Sequence, residues 1–154
     1  VSKTIGSILT LLGLLPAAAQ VFAACNVNAT GMSFGAYDVF DPVGLQTTGS
    51  ITVSCDEAPP PDVTISVGPS AHSNQINLRK MKHASLEDML SYNLFIDPAG
   101  NRVWGDGTSG GSIVFLKNVT KNRPRTVPLY GILPPNQDVS IGQYSDHVIV
   151  TINW

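Results

Sequence analysis

At 154 residues, with 9 basic and 11 acidic side chains, the chain has the length of one domain and a formal net charge of -2. That balance gives no electrostatic case for binding nucleic acid or an anionic membrane surface. Charged residues make up only 13%, against 14 Gly and 11 Pro, a mix that suits short strands joined by turns and argues against amphipathic helices.

Residues 1–23 read as a secretory signal peptide. Lys3 is followed by the apolar run Ile5 to Leu15, Pro16 and Ala17-Ala18-Ala19, with Val21 and Ala23 as the small residues before a cut at Ala24. A retained anchor is one rival, against which Pro16 interrupts the run. A lipoprotein is another, but Phe22 departs from the lipobox, and acylating Cys25 would strand Cys55. The exported domain is then 24–154, with no membrane span in its mature form. Its two cysteines, Cys25 and Cys55, pair as a disulfide in an oxidising compartment.

Alternation with a period of two dominates the exported domain. Met32–Tyr37 is a short candidate strand. Ile51, Val53 and Cys55 alternate with Thr52 and Ser54, and Pro59-Pro60-Pro61 ends that run. Val63, Ile65 and Val67 alternate with Thr64 and Ser66. One helical turn is expected over Ser85–Leu90, with Ser85 as N-cap and Asp88 three residues on. Leu90, Tyr92, Leu94 and Ile96 form the next strand, closed by the turn Asp97-Pro98-Ala99-Gly100-Asn101. A Gly-rich loop over Gly105–Ser112, short strands at Ile113–Leu116 and Thr126–Ile132, and a turn at Leu133–Asn136 precede the clearest alternation, Val148, Val150, Ile152 and Trp154. Some seven short strands at turn-bounded spacing predict an all-β, Ig-like sandwich. An apolar last strand with nothing after it to cover its edge predicts an exposed seam.

Chemistry-bearing motifs give way to blander readings. Gly31-Met32-Ser33-Phe34-Gly35 fits the nucleophile-elbow pattern, but no helix signal follows it. His72, His83 and His147 stand at no metal-ligand spacing and read as solvent-facing. Arg79-Lys80-Met81-Lys82 and the basic stretch Lys117 to Arg125 read as solubilising edges and loops. No catalytic set, metal site or cofactor is expected.

The same segments carry a resemblance. Phe34-Gly35-Ala36-Tyr37-Asp38 and Thr47 to Cys55 resemble the opening motifs of the spore coat U family. Leu90-Ser91-Tyr92-Asn93-Leu94, Trp104-Gly105-Asp106-Gly107-Thr108 and Tyr130-Gly131-Ile132 continue in that family's order. Pro135-Asn136-Gln137-Asp138 and Gly142-Gln143-Tyr144-Ser145-Asp146 lead into the last strand. The family includes a spore-surface coat protein and subunits of archaic chaperone–usher pili. The resemblance implies an incomplete sandwich, held by a periplasmic chaperone, exported by an outer-membrane usher and completed by the donor strand of a sister subunit. Val148, Val150, Ile152 and Trp154 would then line or flank the accepting groove, with the Trp154 carboxylate as the chaperone's anchor. It also implies passage through the periplasm to a fimbrium or spore surface, with attachment or biofilm formation as the setting. A cut before Ala24 would leave no donor arm, hence a terminal or accessory subunit. The alternatives are an adhesin touching its target through Val39-Phe40 or Val43-Gly44-Leu45, a free-standing coat protein, and, against the low aromatic content, a small outer-membrane barrel.

Overall fold

The computed structural model describes residues 24–154; the expected leader over residues 1–23, and its cut, lie outside the described residues. In chain order the strands are β1 (Ala24–Ala29), β2 (Leu45–Asp56), β3 (Val63–Val67), β4 (Arg79–His83), β5 (Met89–Phe95), β6 (Val114–Leu116), β7 (Arg125–Leu133), β8 (Tyr144–Ser145) and β9 (Val150–Asn153). They build a six-stranded sheet, β1-β2-β7-β5-β4-β8, and a three-stranded sheet, β6-β3-β9. Every pairing within the sheets is antiparallel. The result is the all-β, Ig-like architecture expected from the strand spacing.

The alternation explains which face each strand buries. On β2, Gly49, Ile51, Val53 and Cys55 are buried while Ser50, Thr52 and Ser54 stay half-exposed. On β3, Val63, Ile65 and Val67 are fully buried, each contributing about 1.5–3 kcal/mol relative to exposure. Leu90, Tyr92 and Leu94 of β5 and Leu129 and Leu133 of β7 meet them from the other sheet. Trp104, also fully buried, donates its indole N–H to the Ile65 carbonyl at 3.2 Å and so fastens its loop to β3. Cys25 and Cys55 face each other across the β1–β2 ladder and are joined as a disulfide.

Several local expectations are corrected. Ser85–Leu90 is not a helical turn. The His83 N–H bonds the Asp88 carbonyl at 3.0 Å and closes the segment as a hairpin loop, and His83 Nδ1, not the Ser85 side chain, accepts the N–H groups of Ser85 and Leu86 at 3.0 and 2.9 Å. His83 is accordingly half-buried and engaged, with Nε2 3.2 Å from the Ile141 carbonyl. The stretch read as a basic edge is β4, and Arg79 in it is fully buried. Met32–Tyr37 belongs to no strand ladder, and the last strand is shorter than its alternation, Val150–Asn153.

The turn after β5 forms as expected, around one side chain. Asp97 Oδ1 accepts the N–H groups of Ala99 and Asn101 at 3.1 and 3.2 Å, and Oδ2 accepts that of Arg102 at 2.8 Å. Desolvation raises the Asp97 pKa, but these main-chain donors outweigh it and the net shift is downward. A carboxylate lowered in the folded state stabilises above its unfolded pKa, and that stability is lost as pH falls through the folded value. Asp97→Asn is therefore expected to flatten the acid limb of urea-unfolding midpoints measured from about pH 5 to about pH 2, leaving the neutral-pH difference between the two proteins constant.

Candidate functional site

Between the two sheets the sandwich is open. A cleft of about 1210 Å³ runs along it, walled on one side by residues 29–39 and on the other by residues 139–148 with Val150. Met81, Leu90, Tyr92, Leu94, Leu129 and Leu133 form its floor.

The first wall alternates like a strand, with a step at one glycine, but pairs with none of the described strands. Met32 and Phe34, then Tyr37 and Val39, turn inward, the step in the alternation falling at Gly35, whose φ of 78° a side chain would strain. Met32, Phe34 and Tyr37 pack on the core, and Phe34 meets Tyr92 edge-on with ring centroids 5.8 Å apart. Yet among the described residues no backbone–backbone hydrogen bond joins residues 31–37 to a neighbouring strand. At its end the Tyr37 hydroxyl accepts the Gln137 N–H at 2.8 Å.

Two glycines seat this wall. A Cβ on Gly49 would lie 2.7 Å from Met32 Cγ, and one on Gly131 would lie 2.5 Å from Met32 Cε and 2.9 Å from Phe34 Cζ. Glycine in the middle of β2 and of β7 thus leaves the space into which Met32 and Phe34 descend. Gly131→Val is expected to lose about 1–3 kcal/mol of stability by overpacking, read as a lower urea midpoint.

The second wall is the edge of the three-stranded sheet. β9 pairs with β3 on one side, and that pairing extends backwards through the Gly68 N–H to the Ile149 carbonyl (2.8 Å) and the Ala71 N–H to the His147 carbonyl (3.2 Å). Antiparallel alternation then leaves the N–H and C=O groups of Val148, Val150 and Ile152 pointing away from β3. Their side chains turn inward and pack on the core. Of the four residues expected at a groove, Val148 and Val150 line the cleft, and Ile152 sits opposite Ile65 on β3. Trp154 lies beyond β9, is 54% exposed and is not among the lining residues. Sequence reading missed residues 29–39 and 139–143 as walls; the alternation of Met32 and Phe34 was the available signal for the first.

A polar knot ties the floor of the cleft to its second wall. Tyr92 donates its hydroxyl to Asp146 Oδ2 at 2.7 Å, and Asp146 Oδ1 accepts the N–H groups of Ala71 and His147 at 3.1 and 2.8 Å. The Asp146 side chain is 1% exposed, with His72 Nε2 4.0 Å away. Burial first, and the bond to Asp146 second, push the Tyr92 hydroxyl pKa upward. Ser33, the residue at the nucleophile-elbow position, has only the Gly35 N–H at 3.4 Å on its hydroxyl. Among the described residues no three His, Cys, Asp or Glu side chains come together as a metal site would require.

An Ig-like sandwich with an open apolar cleft between two unpaired edges is the class that fold and site define. A model of the Spore Coat Protein U domain matches residues 11–151, and the chain belongs to that family, whose members are structural rather than catalytic. It is 34% identical over 148 residues to Protein U of Myxococcus xanthus, covering 88% of this chain and 80% of that protein. In fold it is similar to a chain of the CsuC–CsuE chaperone–tip adhesion subunit pre-assembly complex from the archaic chaperone-usher Csu pili of Acinetobacter baumannii. That likeness has a TM-score of 0.60 at 20% identity and covers 87% of this chain and 40% of the other.

Proposed function

We propose that the protein is a secreted structural subunit of a bacterial surface fibre or coat, completed by a strand that a neighbouring subunit donates into the open cleft. The observation that carries this reading is the pair of walls. Residues 31–37 and the Val148–Ile152 edge each present unused backbone groups beside inward-facing apolar side chains. An extended peptide laid between them would gain main-chain hydrogen bonds and pockets for alternate side chains. A periplasmic chaperone would fill the cleft before assembly, with the Trp154 carboxylate as its anchor, and an outer-membrane usher would export the subunit. Residues 1–23 would be removed on the way, leaving the domain 24–154.

The test is expression of the full chain into the periplasm, alone and with a chaperone encoded beside it. A lone protein that stays soluble only at low concentration, and a stable one-to-one complex with the chaperone, are expected. A stable disulfide-bonded monomer that ignores the chaperone would overturn the reading in favour of a free-standing coat protein. N-terminal sequencing of the product places the cut: before Ala24 it fits a strand acceptor, and near Gly13 or earlier it leaves an arm able to donate.

A second reading, attachment, rests on the loops. Phe40 and Ile141 are 90% and 100% exposed and Val43 is 68% exposed, side chains that solvent does not favour. Phe40→Ser with Ile141→Ser is expected to weaken retention of the chaperone-bound protein on a hydrophobic surface; unchanged retention would remove adhesion from the proposal.

A further inference from the structure

We infer that Asp146 is a positioning residue that holds the accepting edge of the cleft in place. The inference rests on the strand-accepting reading for its purpose, though not for its geometry.

The chain changes sheets at this residue. β8, just before it, ends the six-stranded sheet, and β9, a few residues on, edges the three-stranded one. Residues 146–149 between them lie in neither strand. Two backbone bonds, from the Gly68 and Ala71 N–H groups to the Ile149 and His147 carbonyls, hold the crossing to the β3 side, and the Asp146 carboxylate links it to the other sheet as well. Oδ2 takes the hydroxyl of Tyr92 on β5, in the six-stranded sheet. Oδ1 takes the N–H of Ala71, beyond the end of β3 in the other sheet, and that of His147 itself. One side chain therefore ties both sheets to the start of the open edge, at a site nearly closed to solvent.

The substitutions separate geometry from charge. Asp146→Asn keeps an oxygen for the two N–H groups and turns its amide toward the Tyr92 hydroxyl, which can accept. Tyr92→Phe keeps the ring against Phe34 but leaves a buried carboxylate oxygen unpartnered, the costlier change. Asp146→Ala removes the knot outright.

Hydrogen exchange on protein isolated from the periplasm after expression of the full chain reads the result directly. Asp146→Ala is expected to speed exchange at Gly68, Ala71 and His147 by roughly tenfold or more, as loss of a buried charged hydrogen bond implies. Protection in β2 and β7 should hold, Tyr92→Phe should give a smaller loosening at the same amides, and Asp146→Asn should restore most of the protection. Should Asp146→Ala fail to fold, the Tyr92→Phe and Asp146→Asn pair decides the question. Unchanged exchange at those amides, or an equal rise throughout β2 and β7, overturns the inference. Uptake of a soluble synthetic peptide of about ten residues alternating valine and threonine provides the second reading, with slower uptake expected for Asp146→Ala. A wild-type protein that takes up no such peptide counts against strand acceptance, and the exchange result still decides the role of Asp146.

Discussion

Arg79→Met is expected to lower stability by about 3–5 kcal/mol, the scale of breaking a buried charged network. The guanidinium is fully buried in β4 and no carboxylate bonds to it. Its Nε and Nη2 donate to the Gly68 carbonyl at 3.2 and 2.7 Å. Nη2 also reaches the carbonyls of Val67 at 3.1 Å and Trp104 at 2.9 Å, and Nη1 bonds Asn93 Oδ1 at 2.7 Å. The end of β3, the Trp104 loop and β5 all converge on this one planar cation. Burial lowers its pKa to about 10, with Tyr92, Asp146 and Asp106 opposing that shift, so it stays charged at neutral pH. Methionine fills the volume but leaves the carbonyls of Val67, Gly68 and Trp104 without the guanidinium donors, while Asn93 Oδ1 keeps only the Leu94 N–H. Lysine keeps the charge and fails nearly as badly, because an ammonium cannot spread its donors across a plane. Urea unfolding followed by tryptophan fluorescence measures both; a loss below about 1 kcal/mol for Arg79→Met, the scale of an ordinary hydrogen bond, would mean that water replaces the guanidinium.

Removing the disulfide, by reduction or as Cys25→Ser with Cys55→Ser, is expected to cost roughly 3–4 kcal/mol, since it frees a loop closed across 30 positions. The effect should also be local. β1 buries almost nothing of its own: Cys25 alone among its residues is half-buried, and the rest are exposed. Without the bond, β1 keeps its ladder to β2 but little packing to hold it. Exchange at Asn26 and Asn28 should rise first, followed by that at Thr30, whose N–H extends the ladder to the Ser50 carbonyl. A reduced protein with an unchanged urea midpoint would show that the ladder alone suffices.

Alternation in the sequence reports burial, and the strands where burial and pairing coincide were the legible ones. Ile51 to Cys55, Val63 to Val67, Leu90 to Leu94 and Thr126 to Ile132 all fall within ladders. Met32 and Phe34 alternate equally well but have no neighbouring strand, because periodicity records an inward face and says nothing of hydrogen-bond partners. β4 was hidden by its charges, although Arg79 and Met81 alternate with Lys80 and Lys82; a fully buried arginine is rare enough that the basic reading prevailed. The expected turn of helix at Ser85 rested on capping residues alone, and the hairpin geometry overrode them. At the cleft, Val148 and Val150 were legible from their strand. The opposite wall was not, because two distant glycines make its seat.

The disulfide also decides how the domain answers tension. Cys25 is the second residue of β1, so a pull on the chain at Ala24 meets a covalent bond one residue in. The load passes through sulfur into β2, the longest strand at 12 residues, which is itself laddered to β7. Without that bond β1 would peel from its end, one pair of hydrogen bonds at a time; with it, force applied there bypasses the β1 ladder and loads β2.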